Sequence, residues 1–189
     1  MTDQATEGLL SPFLRERRLR AAIPHLKGMV LDFGCGSGAL ARMLPPERYV
    51  GVERDSESLA VARQQYPRHR FVRDLEDVPE VVDTVVSLAV IEHVSDPVGF
   101  LRALSGVLND DAQSRIVVST PHPSMDWIHD AGARVGLFSG HASDEHEELL
   151  GRSRLAEVGQ GAGLAMIGYS RFLFGANQIA VYARERTAA

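Results

Sequence analysis

The sequence predicts an α/β sandwich of three layers around a seven-stranded, mostly parallel sheet with an antiparallel last strand. Three observations carry this. Strand-like apolar runs alternate with helix-spaced runs up to about residue 119, the order that produces parallel strands joined by right-handed crossovers. The first strand, ending Val30-Leu31-Asp32-Phe33, runs straight into a loop with glycines at 34, 36 and 38. Near the end, two strand-like runs flank Gly175-Ala176-Asn177, a hairpin signal that turns the last strand antiparallel.

The elements follow in order. Residues 8–26 read as an amphipathic helix, with Leu9, Leu10, Phe13, Leu14 and Leu19 on roughly one side and Pro12 and Pro24 near its ends. Met29–Phe33 is strand one, and Ser37–Leu44 is expected to be a helix stopped by Pro45-Pro46. Tyr49–Glu53 is strand two. Asp55 or Ser56 caps a helix reaching about Gln65, and Arg70–Val72 is a short third strand. Val81–Ala89 is apolar enough to be buried on both faces. Val98, Leu101, Leu104 and Leu108 give helical spacing after Pro97, and Arg115–Ser119 is strand five. Residues 152–162 read as a last helix, followed by strands near 165–174 and 177–184. Residues 120–150 break the rhythm with two prolines, Met125, Trp127 and four histidines. A loop of that length is uncommon unless it has a function.

With 189 residues, the chain reads as one domain, 1–189. Residues 1–27 are expected to form a helical lid and 120–150 a substrate-side insertion. Cys35 is the only cysteine, which excludes an intrachain disulfide and fits a cytoplasmic setting. The first residues lack the apolar core of a signal peptide, and no stretch approaches a membrane span. A net charge of −5 argues against nucleic-acid binding and gives no sign of a membrane surface. Arg15, Arg17, Arg18 and Arg20 are the local exception. They read first as the solvated face of the N-terminal helix and second as a site for an anionic ligand.

Two cofactor families use a glycine loop after the first strand. Gly34, Gly36 and Ala39 satisfy the loose dinucleotide pattern, so the glycines leave NAD open. Glu53, about 20 residues on, could accept hydrogen bonds from ribose hydroxyls in either family. Three further features discriminate. Asp32 aims an anion at the loop, where it would repel a pyrophosphate and attract an ammonium group. Asp74-Leu75 ends strand three with an acid and an apolar side chain where an adenine could lie. Ala89-Val90-Ile91-Glu92-His93 follows strand four directly.

Taken together, VLDFGCGSG, GVERD, FVRDLEDVP and SLAVIEHVSDP resemble, in order, four motifs of the class I S-adenosylmethionine-dependent methyltransferases, in the branch acting on small molecules. The resemblance implies a Rossmann-like fold, S-adenosyl-L-methionine as cofactor and a small-molecule methyl acceptor; a homodimer is left open. It implies that Gly34, Cys35 and Gly36 pass beside the methionyl part, and that Asp32 holds the loop or contacts the amino group. Glu53 would take both ribose hydroxyls, Asp74 the adenine amino group, the Leu75 N–H a ring nitrogen, and the backbone around Ala89 would face the methionyl end.

His93 is the candidate catalytic base, since an imidazole titrates near neutrality; the alternative is that Glu92 and His93 only brace the local loop. Some relatives carry an acid three residues before the Glu-His pair and can use a metal there. Ala89 occupies that position, so no metal ligands are assigned. His141, Asp144, Glu145 and His146 match no standard metal spacing and read as a polar loop. Trp127 and Met125 divide evenly between core and substrate wall. Rival functions are an NAD(P)-binding oxidoreductase and a non-catalytic binding protein on the same fold.

Overall fold

The computed structural model describes residues 11–78, 81–123 and 150–185. Seven strands form one sheet: β1 (Val30–Phe33), β2 (Tyr49–Val52), β3 (Arg70–Val72), β4 (Thr84–Leu88), β5 (Arg115–Pro121), β6 (Leu164–Phe172) and β7 (Asn177–Arg184). Their spatial order is β3-β2-β1-β4-β5-β7-β6. All neighbouring pairs are parallel except those of β7, which runs antiparallel to both β5 and β6. The expected fold class is therefore present.

Alternation along the strands makes the sheet two-sided. Leu31, Val50, Val85, Ile116 and Val118 point to one face, where they pack on Leu101 and Leu104 of α3 (Pro97–Gly106) and on Leu155 and Val158 of α4 (Arg152–Gly161). Val30, Tyr49, Val86 and Val117 point to the other, against Leu19 and Ala22 of α1 (Ser11–Ala22) and Leu59 and Ala62 of α2 (Ser56–Gln65). A period of two along each strand is what allows one chain to supply both cores. Asp55 caps α2, accepting from the Ser58 N–H at 2.8 Å, and Asp96 caps α3, accepting from the Gly99 N–H at 2.9 Å.

The expected helix at Ser37–Leu44 does not form. Turns fill residues 36–40, and only a single 3₁₀ turn, Ala41–Met43, follows. Gly38 has φ +82°, which no right-handed helix passes through. Too few residues remain before Pro45 for an α-helix to be worth nucleating. The N-terminal helix stops at Ala22 and continues as a 3₁₀ turn, Ile23–His25, with Pro24 inside it. Strand four is shorter than its apolar run: Asp83 instead accepts the Met29 N–H at 2.8 Å and Asn109 Nδ2 at 2.7 Å, tying off the sheet's lower edge. The insertion lies outside the described residues from 124 to 149, and with it Met125, Trp127, His129, His141, Asp144, Glu145 and His146.

At the junction of β1 and β2, Gly51 is paired with Asp32 in register. A Cβ there would sit 2.7 Å from Phe71 Cδ1 and 2.8 Å from both Cys35 Sγ and the Tyr49 hydroxyl. The Gly51→Ala variant is expected to lose about 1–3 kcal/mol of stability through this overpacking, read as a lower urea midpoint at unchanged m-value.

Candidate active site

The carboxyl ends of β1, β2 and β4 surround a cavity of about 730 Å³, lined by Phe33, Gly34, Val52, Glu53, Leu75, Ala89 and His93 among others. That volume suits a cofactor-sized ligand, and the place, where chains leave β1 and β4 in opposite directions, is where this sheet topology opens a crevice.

The glycine loop is held from β2. The Gly34 and Cys35 N–H groups both donate to the Val52 carbonyl, at 2.9 and 3.1 Å. The Gly36 N–H donates to Glu53 Oε2 at 2.8 Å, while Glu53 Oε1 accepts the Asp55 N–H at 2.8 Å. Each carboxylate oxygen thus keeps lone pairs for a ligand while its direction is fixed. Gly34 and Gly36 have φ +77° and +53°, where a side chain would be strained. A Cβ at Gly34 would meet Val90 Cγ2 at 2.7 Å, whereas one at Gly36 would meet nothing within 4 Å. The loop therefore packs closely on one flank and is open on the other.

Ala89 closes the opposite wall. It is a non-glycine residue at φ +57°, and its N–H donates to the Ser119 carbonyl at 2.9 Å. A left-handed alanine costs about 1 kcal/mol, and such strain collects where a backbone must face a ligand. After it, the 3₁₀ turn Ile91–His93 sends successive side chains about 120° apart. Ile91 enters the core, His93 joins the cavity wall, and Glu92 is buried at 8% exposure beside Thr120.

Of the residues singled out from sequence, Gly34, Glu53, Leu75, Ala89 and His93 meet in the cavity wall. Asp32 and Cys35 lie buried beneath the loop instead. Asp32 Oδ2 accepts the Tyr49 hydroxyl at 3.0 Å. Burial pushes its carboxyl up to about 7, with Glu53 adding to the rise and Tyr49 opposing it. The charge argument against a pyrophosphate is therefore weaker at neutral pH than the sequence implies. A different observation takes its place: without an α-helix after the loop, there is no helix N-terminus to receive a pyrophosphate. Burial, then Asp32 and Glu53, raise the Cys35 thiol far above its usual range, so it is no nucleophile. Asp74 stands outside the cavity lining, with its Oδ1 3.3 Å from Arg54 Nε. Its neighbour Glu76 lines the cavity, as do Phe100 and Val94, and the sequence reading missed these. Glu76 carried a signal, being an acid four residues past the end of the parallel strand β3. Among the described residues, no group of three or more His, Cys, Asp or Glu is placed to hold a metal ion, and no helix is long and apolar enough to cross a membrane.

Residues 8–168 match the family model described as a methyltransferase domain, and the chain belongs to that family. The ubiquinone biosynthesis O-methyltransferase of Aeromonas salmonicida is 24% identical over 147 residues, covering 71% of this chain and 62% of its own length. The enzyme of the same name from Ruegeria pomeroyi is 25% identical, covering 84% and 68%. The chain thus spans less than two thirds of the first of these relatives. Among solved structures, an S-adenosylmethionine-dependent methyltransferase of Thermotoga maritima superposes with TM-score 0.73 at 16% identity, covering 94% of this chain and 92% of that one. The magnesium protoporphyrin IX methyltransferase of Synechocystis, crystallised with bound S-adenosylhomocysteine, superposes with TM-score 0.66 at 16% identity, covering 96% and 90%. Family and fold together are those of the class I S-adenosylmethionine-dependent methyltransferases.

The raised Asp32 carboxyl has a stability consequence. Between the ordinary aspartate value and about 7, the unfolded chain releases this proton while the folded chain keeps it, so stability falls as pH rises through that window. Asp32→Asn removes the penalty. Relative to wild type it is expected to gain up to about 4 kcal/mol at pH 8, shrinking towards zero near pH 4. Urea unfolding of both proteins across that range checks it.

Proposed function

We propose that the chain transfers a methyl group from S-adenosylmethionine to the oxygen or nitrogen of a small-molecule acceptor. The observation that carries this is Glu53, a cavity-wall carboxylate whose two oxygens are pre-aimed by the Gly36 and Asp55 N–H groups. Two hydroxyls on adjacent ribose carbons are a natural match for such an acceptor-only group. Family membership supports the cofactor. The printed names of the Aeromonas and Ruegeria relatives favour oxygen as the methylated atom.

The chain's residues divide the work. Gly36 offers open space beside the loop, where the methionyl part would lie, with Gly34 and the Ala89 backbone as its walls. Leu75, Phe100 and Val94 give the apolar surface for adenine, with Glu76 rather than Asp74 facing that space. Bound there, the cofactor supplies a methyl group on a positively charged sulfur. The apolar wall excludes water from the reacting groups, and fixed orientation can supply about 7–11 kcal/mol of the barrier. As the acceptor took up the methyl group, the His93 imidazole would receive the acceptor's proton. His93 is exposed and in the wall, so it can touch both acceptor and solvent. Helix α1 serves as part of a lid over the acceptor side.

Two measurements test this reading. In titration calorimetry, wild type is expected to bind S-adenosylmethionine and S-adenosylhomocysteine, and Glu53→Ala to bind both about 10–100-fold more weakly. Binding of NAD(H) alone would overturn the cofactor. With an acceptor in hand, His93→Ala is expected to lower kcat about 10²–10⁴-fold with little change in cofactor affinity. Full activity would remove the base role.

A further inference from the structure

The hairpin joining β6 to β7 turns at Leu173 and Phe174, and both have φ +53°. The Gly175 N–H donates to the Phe172 carbonyl at 3.1 Å, so the two are the central residues of a β-turn. Positive φ at both is the sign pattern of a type I′ turn, which favours Asn-Gly because a Cβ is strained there. This chain places a leucine and a phenylalanine instead. Phe174 is also fully exposed, whereas no other large apolar side chain among the described residues exceeds 62%. Neither turn chemistry nor burial accounts for a phenylalanine at that position.

The turn keeps its shape through its surroundings. Arg171 Nε and one of its terminal nitrogens donate to the Gly175 carbonyl at 3.0 and 2.6 Å, and the His122 N–H donates to the Ala176 carbonyl at 2.9 Å. Backbone strain held in place from outside, at an exposed point, leads from the outlier to a function. The position is informative too. Asn177 pairs with Pro121, the last residue of β5, so the tip projects from the carboxyl edge of the sheet, at the corner made by the edge strand β6. The cavity lies at the same edge.

Helix α1 reaches this corner. Arg18 Nε donates to Asn177 Oδ1 at 3.0 Å, and beyond the helix the Lys27 N–H donates to Thr84 Oγ1, at the amino end of β4, at 2.9 Å. Residues before Arg18 therefore project past the sheet's carboxyl edge, by about 1.5 Å each. Among them Arg15 is exposed and its charge acts on Arg18, whereas Glu16, the only acid of α1, is turned to Arg20 and Arg42. Arg152, in the first turn of α4, is exposed and lies over the Tyr169 ring of β6 at 5.2 Å. A chain of net charge −5 thus gathers Arg15, Arg18, Arg152 and Arg171 at the corner that carries one fully exposed phenylalanine.

We propose that this corner docks on an anionic bilayer surface, with Phe174 entering the acyl region and the arginines meeting lipid phosphates. A lone convex aromatic suits a deformable apolar phase, whereas a protein partner would have to offer a pocket of matching shape. Aromatic groups beside cations are the composition of interfacial anchors. Guanidinium groups match phosphate oxygens two-fold, and each one near an anionic leaflet adds an attraction that fades within a Debye length. One inserted ring and a few cations give weak, reversible attachment. Docking of this kind is independent of methyl transfer, and it brings the cavity edge to the lipid surface.

The test is co-sedimentation of the full chain with vesicles of phosphatidylcholine alone and of phosphatidylcholine with phosphatidylglycerol in equal parts. Wild type is expected to bind the mixed vesicles about tenfold or more tighter than the neutral ones, and to lose most of that preference in high salt. Phe174→Gly and Phe174→Asn should each bind about tenfold more weakly, with thermal midpoints at or above wild type, because both residues accept positive φ. Arg15→Gln combined with Arg152→Gln should weaken binding to the mixed vesicles about tenfold, and Arg15→Lys combined with Arg152→Lys should retain it. Absence of binding to either vesicle, equal binding to both, or Phe174 variants that bind like wild type overturns the proposal. So does a lipid-free dimer, seen by sedimentation velocity, that Phe174→Gly abolishes, since the tip would then serve a second copy of the chain.

Discussion

Most of the site depends on the end of β2. Three glycines with positive φ within five residues describe a loop with little internal reason to keep its shape. No α-helix follows to pull it taut. Its shape comes from outside: the Val52 carbonyl takes two loop N–H groups, and Glu53 takes a third. The same Glu53 carboxylate is tied at its other oxygen to the chain entering α2. One strand end therefore sets the loop, and the residue that sets it is also the one aimed into the cavity. Removing that carboxylate would disturb loop and ligand contact together, so the two contributions separate only through variants that keep its shape.

Beneath the loop the arrangement is less comfortable. Asp32, Cys35 and Tyr49 are all buried, and burial raises the cost of ionising each; Asp32 adds to the rise at Cys35 and Tyr49, while the Tyr49 hydroxyl eases ionisation of the other two. Only Gly51, lacking a side chain, leaves room for them. A hydrophobic trio would be more stable here, since buried ionisable groups are costly unless fully paired. Asp32 survives with one hydrogen bond and a carboxyl that titrates near neutrality. A group so placed responds strongly to any charge brought near it.

The legible part of the sequence was the part governed by period. Alternation in Val30–Phe33, Tyr49–Val52 and Thr84–Leu88 follows directly from two-sided burial, and the hairpin signal at Gly175 gave the antiparallel turn. Glycine spacing and the acid after strand two located the cavity. What was not legible depended on side-chain direction. The helix expected at Ser37–Leu44 was ruled out by a backbone sign at Gly38 that apolar spacing does not report. Asp74 and Glu76 are two residues apart, and only placement decides which faces the cavity and which meets Arg54. Four arginines in six residues read as one patch, yet the helix turns one of them inward.

The 3₁₀ turn after β4 shows why such a distinction matters for function. Its three residues serve three environments: Ile91 the core, Glu92 the side beneath α1, His93 the cavity. In an α-helix, neighbouring side chains diverge by 100° and the next turn continues the pattern; here Val94 leaves in extended backbone, so the divergence occurs once and stops. A histidine and a carboxylate adjacent in sequence are thereby kept from competing for the same partner. One is left exposed in the cavity wall, and the other is buried beside a half-buried arginine. That separation gives two adjacent side chains two environments, one facing the cavity and one beneath α1. A strained Ala89 and a single short turn are enough to create it.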